Sequence, residues 1–272
     1  MANENNSELL TFGGHLEVLR RMLFRILGVS GVIAAVVFCC KDLTWRLLLA
    51  PSESSFVTYR WIEQAARTMG FDLTFEQFQV DMIATDLSSQ FMTHITTSIY
   101  LGLLGASPYI VYELFRFVSP ALYENERRYS VQVVVTVYLL FLLGLLMSYY
   151  VLFPISFRFL GTYSVAAKIH SNITLDSYIS TFTTLTLLMG VVFQLPVIAF
   201  VLTRLGIISS EILSRFRKQS FLAIMIVAAI ITPPDLMTLI LVTLPLYLLY
   251  EVSIRVARWV ERFRSRDELE ET

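Results

Sequence analysis

A short charged loop between two apolar segments carries the side chains best suited to bind a charged partner. Glu124, Glu126, Arg127 and Arg128 fall within five residues of the sequence. Ion pairs at the edge of a low-dielectric lipid layer are stronger than pairs in bulk water, so the two acids predict a docking site for a cationic group. The alternative is a solvated turn whose arginines anchor the chain on one side of a membrane.

Polar side chains inside apolar segments form a second set of candidates. Gln194 lies in the middle of one apolar run and Glu251 in the inner third of another. An ionisable group in lipid costs about 2.5–3.5 kcal/mol, and an amide less, so both side chains should face protein or water. They mark either a polar site for a partner helix or for water, or an interhelical hydrogen bond worth roughly 0.6 kcal/mol. For Glu251 we favour a structural role, because it can reach Arg255 one helical turn further on.

Enzyme chemistry finds no support in the sequence. There is no H-E-x-x-H zinc motif, no G-x-S-x-G nucleophile motif and no phosphate-binding loop. His94 and His170 are far apart, and no pair of carboxylates lies beside them. The two cysteines are adjacent, which suits neither a disulfide framework nor a metal site. We therefore expect no enzymatic activity, no metal and no cofactor.

The composition predicts that membrane-spanning helices position these candidates. The chain of 272 residues is 56% hydrophobic and 16% charged, whereas soluble domains carry about 25% charged residues. Most of its apolar runs match the roughly 20 residues that cross a bilayer as a helix. We predict an all-α polytopic membrane protein with six transmembrane helices in a concave bundle. It forms a single domain over residues 1–272, with spans at 22–40, 91–115, 131–153, 178–203, 220–231 and 236–254.

The long outer loop, residues 41–90, should carry short helices. One is expected at 61–69, ended by Gly70, and another at 75–82. Such a cap is too small for a core of its own, so it should pack on the ends of the spans.

The fifth and sixth spans are expected to be short. The fifth has about 12 apolar residues, which cover about 18 Å of a hydrocarbon layer of roughly 30 Å. Pro233 and Pro234 then form an abrupt turn, because neither donates a backbone hydrogen bond. Pro245 should kink the sixth span.

The distribution of basic residues predicts the orientation. Most of the 21 Lys and Arg residues lie in the N-terminal segment, the second and fourth loops and the tail 255–272. The positive-inside rule makes these segments cytoplasmic, so both termini lie on that side. The acidic N-terminal segment, with no small-x-small site after the first span, argues against a cleaved signal.

Two patterns are specific: P-A-L-Y-x-x-E-R-R at 120–128 and T-P-P-D at 232–235. Together with weaker motifs they make the chain resemble TatC, the multispanning receptor subunit of the twin-arginine protein translocase, over nearly its whole length. The weaker motifs are His15-Leu16 with Leu19-Arg20, Ile83-Ala84-Thr85-Asp86, Phe153-Pro154, Leu195-Pro196-Val197, and Pro245 with Leu249-Tyr250-Glu251.

The resemblance implies a function in protein export. TatC proteins bind the twin-arginine motif of a signal peptide at the cytoplasmic face. With single-span TatA- and TatB-type subunits they pass folded cargo across the membrane, driven by the proton-motive force. For this chain the resemblance implies a bacterial inner-membrane location, a multimeric complex, contact with lipid and no nucleic-acid partner.

The resemblance also implies the site residues. The signal-peptide site comprises Glu126, Glu17, Arg20, Phe117, Pro120, Tyr123 and Glu124. Intramembrane polar or partner contacts are expected at Gln194, Asp235 and Glu251.

The chain departs from the family pattern at one of the two glutamates that receive the arginine pair. One maps to Glu126. The other belongs to an H-L-x-E-L-R pattern, whereas Val18 stands at its position here and Glu17 lies one residue earlier. The shift turns the acid about 100° round a helix, towards Arg21 four residues on. Gln194 also differs, since many relatives have Glu there.

A six-span secondary transporter of a small solute is the alternative function. It would need midplane ligands, usually in broken helices repeated in the two halves of the chain. The interrupted short span is the fifth, and it has no counterpart in the first half.

Overall fold

The protein, seen in a computed structural model, is described over residues 12–70, 82–118, 130–163, 172–232 and 235–270. These residues are mostly helical, which confirms the all-α prediction. A π-helical turn, Ser148–Leu152, joins two of the helices, and the short strands β1 (Met82–Ile83) and β2 (Ile173–Thr174) pair in parallel. The helices, in chain order, are α1 (Phe12–Cys39), α2 (Lys41–Leu49), α3 (Val57–Thr68), α4 (Ser89–Gly105), α5 (Ser107–Val118), α6 (Ser130–Met147), α7 (Phe153–Thr162), α8 (Leu175–Val192), α9 (Leu195–Arg204), α10 (Ser210–Arg215), α11 (Arg217–Ile231) and α12 (Leu236–Glu270).

Several helical stretches are long and apolar enough to cross a membrane. By length and composition these are Leu16–Cys39, Val134–Thr162, Leu175–Arg204 and Leu236–Phe263. α4 and α5 pass the same test as a pair, although the chain bends by 53° between them. Pro108 accounts for the break, because it cannot donate the hydrogen bond that would continue α4. The chain is thus a membrane protein with several apolar helices.

α11 is short, as expected of the fifth predicted span. Its 15 residues extend about 22 Å, less than the roughly 30 Å of a hydrocarbon layer. Large apolar side chains on one face of this helix are exposed, namely Leu222, Ile226 and Ile230.

α12 extends well beyond the sixth predicted span, 236–254, whose short length within the membrane stays a prediction. It runs for 35 residues, with Pro245 inside it, and continues past residue 255 where we predicted the tail to begin. The helix continues because Ala257 and Val260 are buried against the protein. No further proline or glycine interrupts it between residues 246 and 270.

The chain packs as two compact units, and the first contains Met1–Lys41 and Ile95–Tyr138. Within it α1 lies against α5, and Met22 and Ile26 of α1 are buried. Gly102 of α4 allows a close approach to α1, since a Cβ there would lie 2.6 Å from the Cβ of Ala34.

The second unit contains Asp42–His94 and Leu139–Thr272, and in it the outer segment packs on the ends of helices, as predicted. The hydroxyl of Tyr59, on α3, donates to the carbonyl oxygens of Pro51 at 3.0 Å and Pro154 at 2.9 Å. Burial raises the pKa of Tyr59 well above its ordinary value. Gly70 follows α3 with φ +82°, a conformation that glycine adopts freely. The helix predicted at 75–82 falls almost wholly outside the described residues.

Candidate functional site

The candidate recognition residues fall on α1, on α5 and on the sequence that follows α5. Glu17 and Arg20 lie on α1 and Phe117 lies on α5, all in the first unit. The remaining candidates lie outside the described residues: Pro120, Tyr123, Glu124 and Glu126. In the sequence, the acidic segment follows α5 (Ser107–Val118), the helix that packs against α1.

Glu17 is turned away from the buried face of α1. It lies five residues before the buried Met22, which is about 140° round the helix. Its Oε1 pairs with Nη2 of Arg21 at 2.5 Å, and both side chains are exposed. The local ion pair expected from the spacing is therefore confirmed. Arg20 makes a different contact, with its guanidinium 5.6 Å from the centre of the Phe24 ring.

Glu113, on α5, is a buried carboxylate beside α1. Its side chain is only 6% exposed. Oε1 accepts a hydrogen bond from the Tyr109 hydroxyl at 2.8 Å and another from Nη1 of Arg25, on α1, at 3.4 Å. A buried carboxylate is costly unless it is paired, so these two partners are what allow an acid at this position.

Sequence reasoning missed this group, although the signal was present. Glu113 is the one acidic residue in the predicted span 91–115, and Arg25 is the one charged residue in 22–40. An ionisable residue inside a predicted span is by default a candidate for function, with a partner to be sought.

Gln194 lies at the joint between α8 and α9, inside the apolar stretch Leu175–Arg204. Pro196 in the first turn of α9 accounts for this break, because it has no N–H to donate. The half-buried Gln194 donates from Nε2 to the carbonyl oxygen of Gly190 at 3.3 Å. A contact with a partner helix at this residue stays a prediction.

Asp235 and Glu251 both make contacts within the second unit. Asp235 caps α12, since its Oδ1 accepts from the N–H of Thr238 at 2.7 Å. Glu251 pairs with Arg217 of α11, with 2.9 Å between Oε1 and Nε. The expectation that Arg255 would be its partner is wrong, because Arg217 approaches from the facing helix while Arg255 is exposed.

The described carboxylates pair with cations of the same chain, namely Glu17 with Arg21, Glu113 with Arg25 and Glu251 with Arg217. Among the described residues no group of three or more His, Cys, Asp or Glu is arranged to hold a metal ion. Carboxylates that are already held beside arginines can exchange one guanidinium for another, through charge-assisted hydrogen bonds that become bidentate when the geometry allows.

Comparison with known proteins identifies relatives over almost the whole chain. The family described as TatC, Sec-independent protein translocase protein, matches residues 14–245. The Escherichia coli K12 TatC protein is 30% identical over 270 residues, which cover 98% of this chain and 95% of that protein. The Halalkalibacterium halodurans TatC protein is 37% identical over 262 residues, covering 96% and 92%.

The fold also has a solved counterpart. A crystal structure described as the twin arginine translocase receptor TatC superposes with a TM-score of 0.71 at 28% identity. The match covers 91% of this chain and 99% of that one.

Proposed function

Because the chain belongs to the TatC family of Sec-independent protein translocase proteins, we propose that it is the receptor subunit of a twin-arginine translocase. In this role Glu126 binds the arginine pair of a signal peptide and Glu17 contributes a partial second contact. The remaining residues of the site are Arg20, Phe117, Pro120, Tyr123 and Glu124. The subunit then passes folded cargo across the membrane using the proton-motive force.

One observation carries this proposal: α1 packs against the helix that leads into the acidic loop. Glu17 therefore lies on one of two helices that pack together, and Glu124 and Glu126 follow the other in the sequence. A guanidinium and a carboxylate form a charge-assisted pair worth about 1.5–3 kcal/mol. The description of the solved relative as a receptor supports the same function. A small-solute transporter is not favoured, because the matched family is a protein translocase.

We propose six spans in the bacterial inner membrane, with α4–α5 as the second and α11 as the fifth, and with both termini in the cytoplasm. Single-span TatA- and TatB-type subunits dock at α11 and α12, where α11 exposes Leu222, Ile226 and Ile230. The assembly is a multimeric complex in contact with lipid, with no nucleic-acid partner.

The receptor function is tested by binding a synthetic signal peptide to the purified full-length protein. A peptide with the arginine pair should bind more tightly than its lysine-pair counterpart, because lysine cannot form a bidentate pair. Glu126→Ala should weaken binding by about 1.5–3 kcal/mol, whereas Glu211→Ala, at an exposed acid on α10, should not. Equal binding of the two peptides, or near-wild-type export by Glu126→Ala, would refute the proposal.

The orientation is tested with the cysteines Cys39 and Cys40, which are free and exposed at the end of α1. A membrane-impermeant maleimide should label them in intact spheroplasts. With both native cysteines replaced by serine, a cysteine introduced at exposed Glu211 should be labelled only after permeabilisation. The reverse pattern would contradict a cytoplasmic N-terminus.

A further inference from the structure

The position of Arg25 on α1 relates the buried carboxylate of Glu113 to the residue missing from the family pattern. Arg25 lies seven residues after Val18, and seven residues of α-helix bring the chain back to within about 20° of the same direction. Val18 and Arg25 are therefore on one flank of α1, while Glu17 points about 100° away. Arg25 reaches across from this flank to Glu113 on α5.

The pair between Arg25 and Glu113 is a loose one. The two described contacts of Glu113 both use Oε1, and the contact from Arg25 is long, at 3.4 Å. Arg25 is 49% exposed while Glu113 is 6% exposed. The acid is thus held inside the unit by a cation that remains accessible from outside.

We propose that Glu113 is a further carboxylate for a guanidinium of the cationic peptide, completing the contact that Glu17 makes only in part, and that Arg25 is an internal cation which the peptide displaces. The proposal rests on the receptor function proposed above. On this proposal, the carboxylate that the family carries at the position of Val18 on α1 is provided instead by Glu113 of α5, on the same flank of α1. An incoming arginine that meets the carboxylate in bidentate geometry improves on the single long contact it replaces.

Exchange of one arginine for another explains why a buried acid can serve as a receptor. The carboxylate never stands unpaired, so the large cost of an isolated buried charge is avoided in the free state and in the bound state. Arg25, once released, can extend towards solvent or lipid headgroups, because its side chain is already half exposed.

The test is a titration of the full-length protein in detergent with the arginine-pair and lysine-pair peptides. Arg25→Gln removes the internal competitor and should bind the arginine-pair peptide more tightly than wild type. The affinity of Glu113→Gln for this peptide should be lower by about tenfold or more. The double variant Arg25→Gln/Glu113→Gln should behave like Glu113→Gln alone. Should Arg25→Gln fail to fold, Arg25→Lys keeps a cation but offers a weaker competitor, and it should also bind more tightly.

Thermal unfolding with and without peptide separates recognition from a merely structural ion pair. The peptide should raise the melting temperature of Arg25→Gln more than that of wild type, because it restores the partner of the buried acid. Arg217→Gln is the control, since it breaks another arginine–glutamate pair, with Glu251, in the other unit. Peptide should raise the melting temperature of Arg217→Gln by no more than it raises that of wild type.

The outcomes distinguish this inference from the receptor function itself. If wild type prefers the arginine-pair peptide but Glu113→Gln binds it normally, or if the two single variants weaken binding equally, the role of Glu113 is overturned and the receptor function stands. If wild type shows no preference between the peptides, both proposals fall.

Discussion

Arg217, at the start of α11, and Glu251, in α12, form an ion pair between two helices. Nε lies 2.9 Å from Oε1, and Nη2 donates to Oε2 at 3.1 Å. The Tyr247 hydroxyl also donates to Oε1 of Glu251, at 3.3 Å. The pair thus joins the short α11 to the long helix that follows it.

Breaking this pair should loosen α11. Arg217→Gln and Glu251→Gln should each lower the free energy of unfolding by about 1–2 kcal/mol, less than for a fully buried pair because Arg217 is 42% exposed. The double variant should lose less than the sum of the two, and thermal unfolding of all three variants in detergent measures the coupling. Strict additivity would show that the two side chains do not stabilise each other.

Glu17 should contribute to export less than Glu126 does. Its ion pair with Arg21 competes for the carboxylate, and its position on α1 is about 100° from that of the family glutamate. Glu17→Ala should therefore reduce export of a twin-arginine cargo less than Glu126→Ala. The double variant Glu17→Ile/Val18→Glu, which restores the usual spacing, should retain or improve export. Loss of all peptide crosslinking in Glu17→Ala alone would contradict this reading.

A side chain at Gly144 should destabilise the protein. A Cβ at this position on α6 would lie 2.6 Å from the carbonyl oxygen of Met189 on α8, and helix backbones cannot separate without losing packing. Gly144→Ala should cost about 1–3 kcal/mol of stability. Gly28→Ala is the matched control, because nothing lies within 4 Å of its added Cβ. Equal melting temperatures for the two variants would mean that α6 and α8 are not this close.

Gln194 is expected to face a polar surface of the bundle, because an amide in hydrocarbon needs a partner. Gln194→Leu should reduce transport more than stability, since it removes the hydrogen bond to Gly190 but keeps the volume of the side chain. Cargo export and thermal unfolding, measured on the same preparation, give the comparison. Labelling of a cysteine at this position by a lipid-soluble probe alone would indicate that it faces lipid.

The short length of α11 should matter for partner binding. Four leucines inserted before Ala228 would extend its 15 residues by about 6 Å, which removes most of the mismatch with the bilayer. Membrane insertion should persist, while crosslinks from a single-span partner to α11 should weaken. The control is the same insertion after Ile207, in the exposed segment before α10. Unchanged crosslinks to the lengthened α11 would show that partner docking does not depend on the short length of this helix.

The sequence was sufficient for properties that depend on neighbours along one helix. The helical, apolar character of the chain, the short α11 and the ion pair between Glu17 and Arg21 were all predicted. Each follows from local composition or from a spacing of four residues, and none of the three requires knowledge of which helices pack together. The candidates on the acidic loop, including Glu126, stay predictions because they lie outside the described residues.

Partners from distant parts of the chain were decided by the tertiary structure. Glu251 was expected to reach Arg255 but pairs with Arg217, 34 positions away, and Arg25 meets Glu113 across 88 positions. α12 likewise continues because packing buries Ala257 and Val260, which its polar composition did not indicate. The sequence determines which face of a helix is apolar and which side chains it carries. Which two faces come together, and therefore which charges become partners, depends on the packing of whole helices, and only the folded chain shows it.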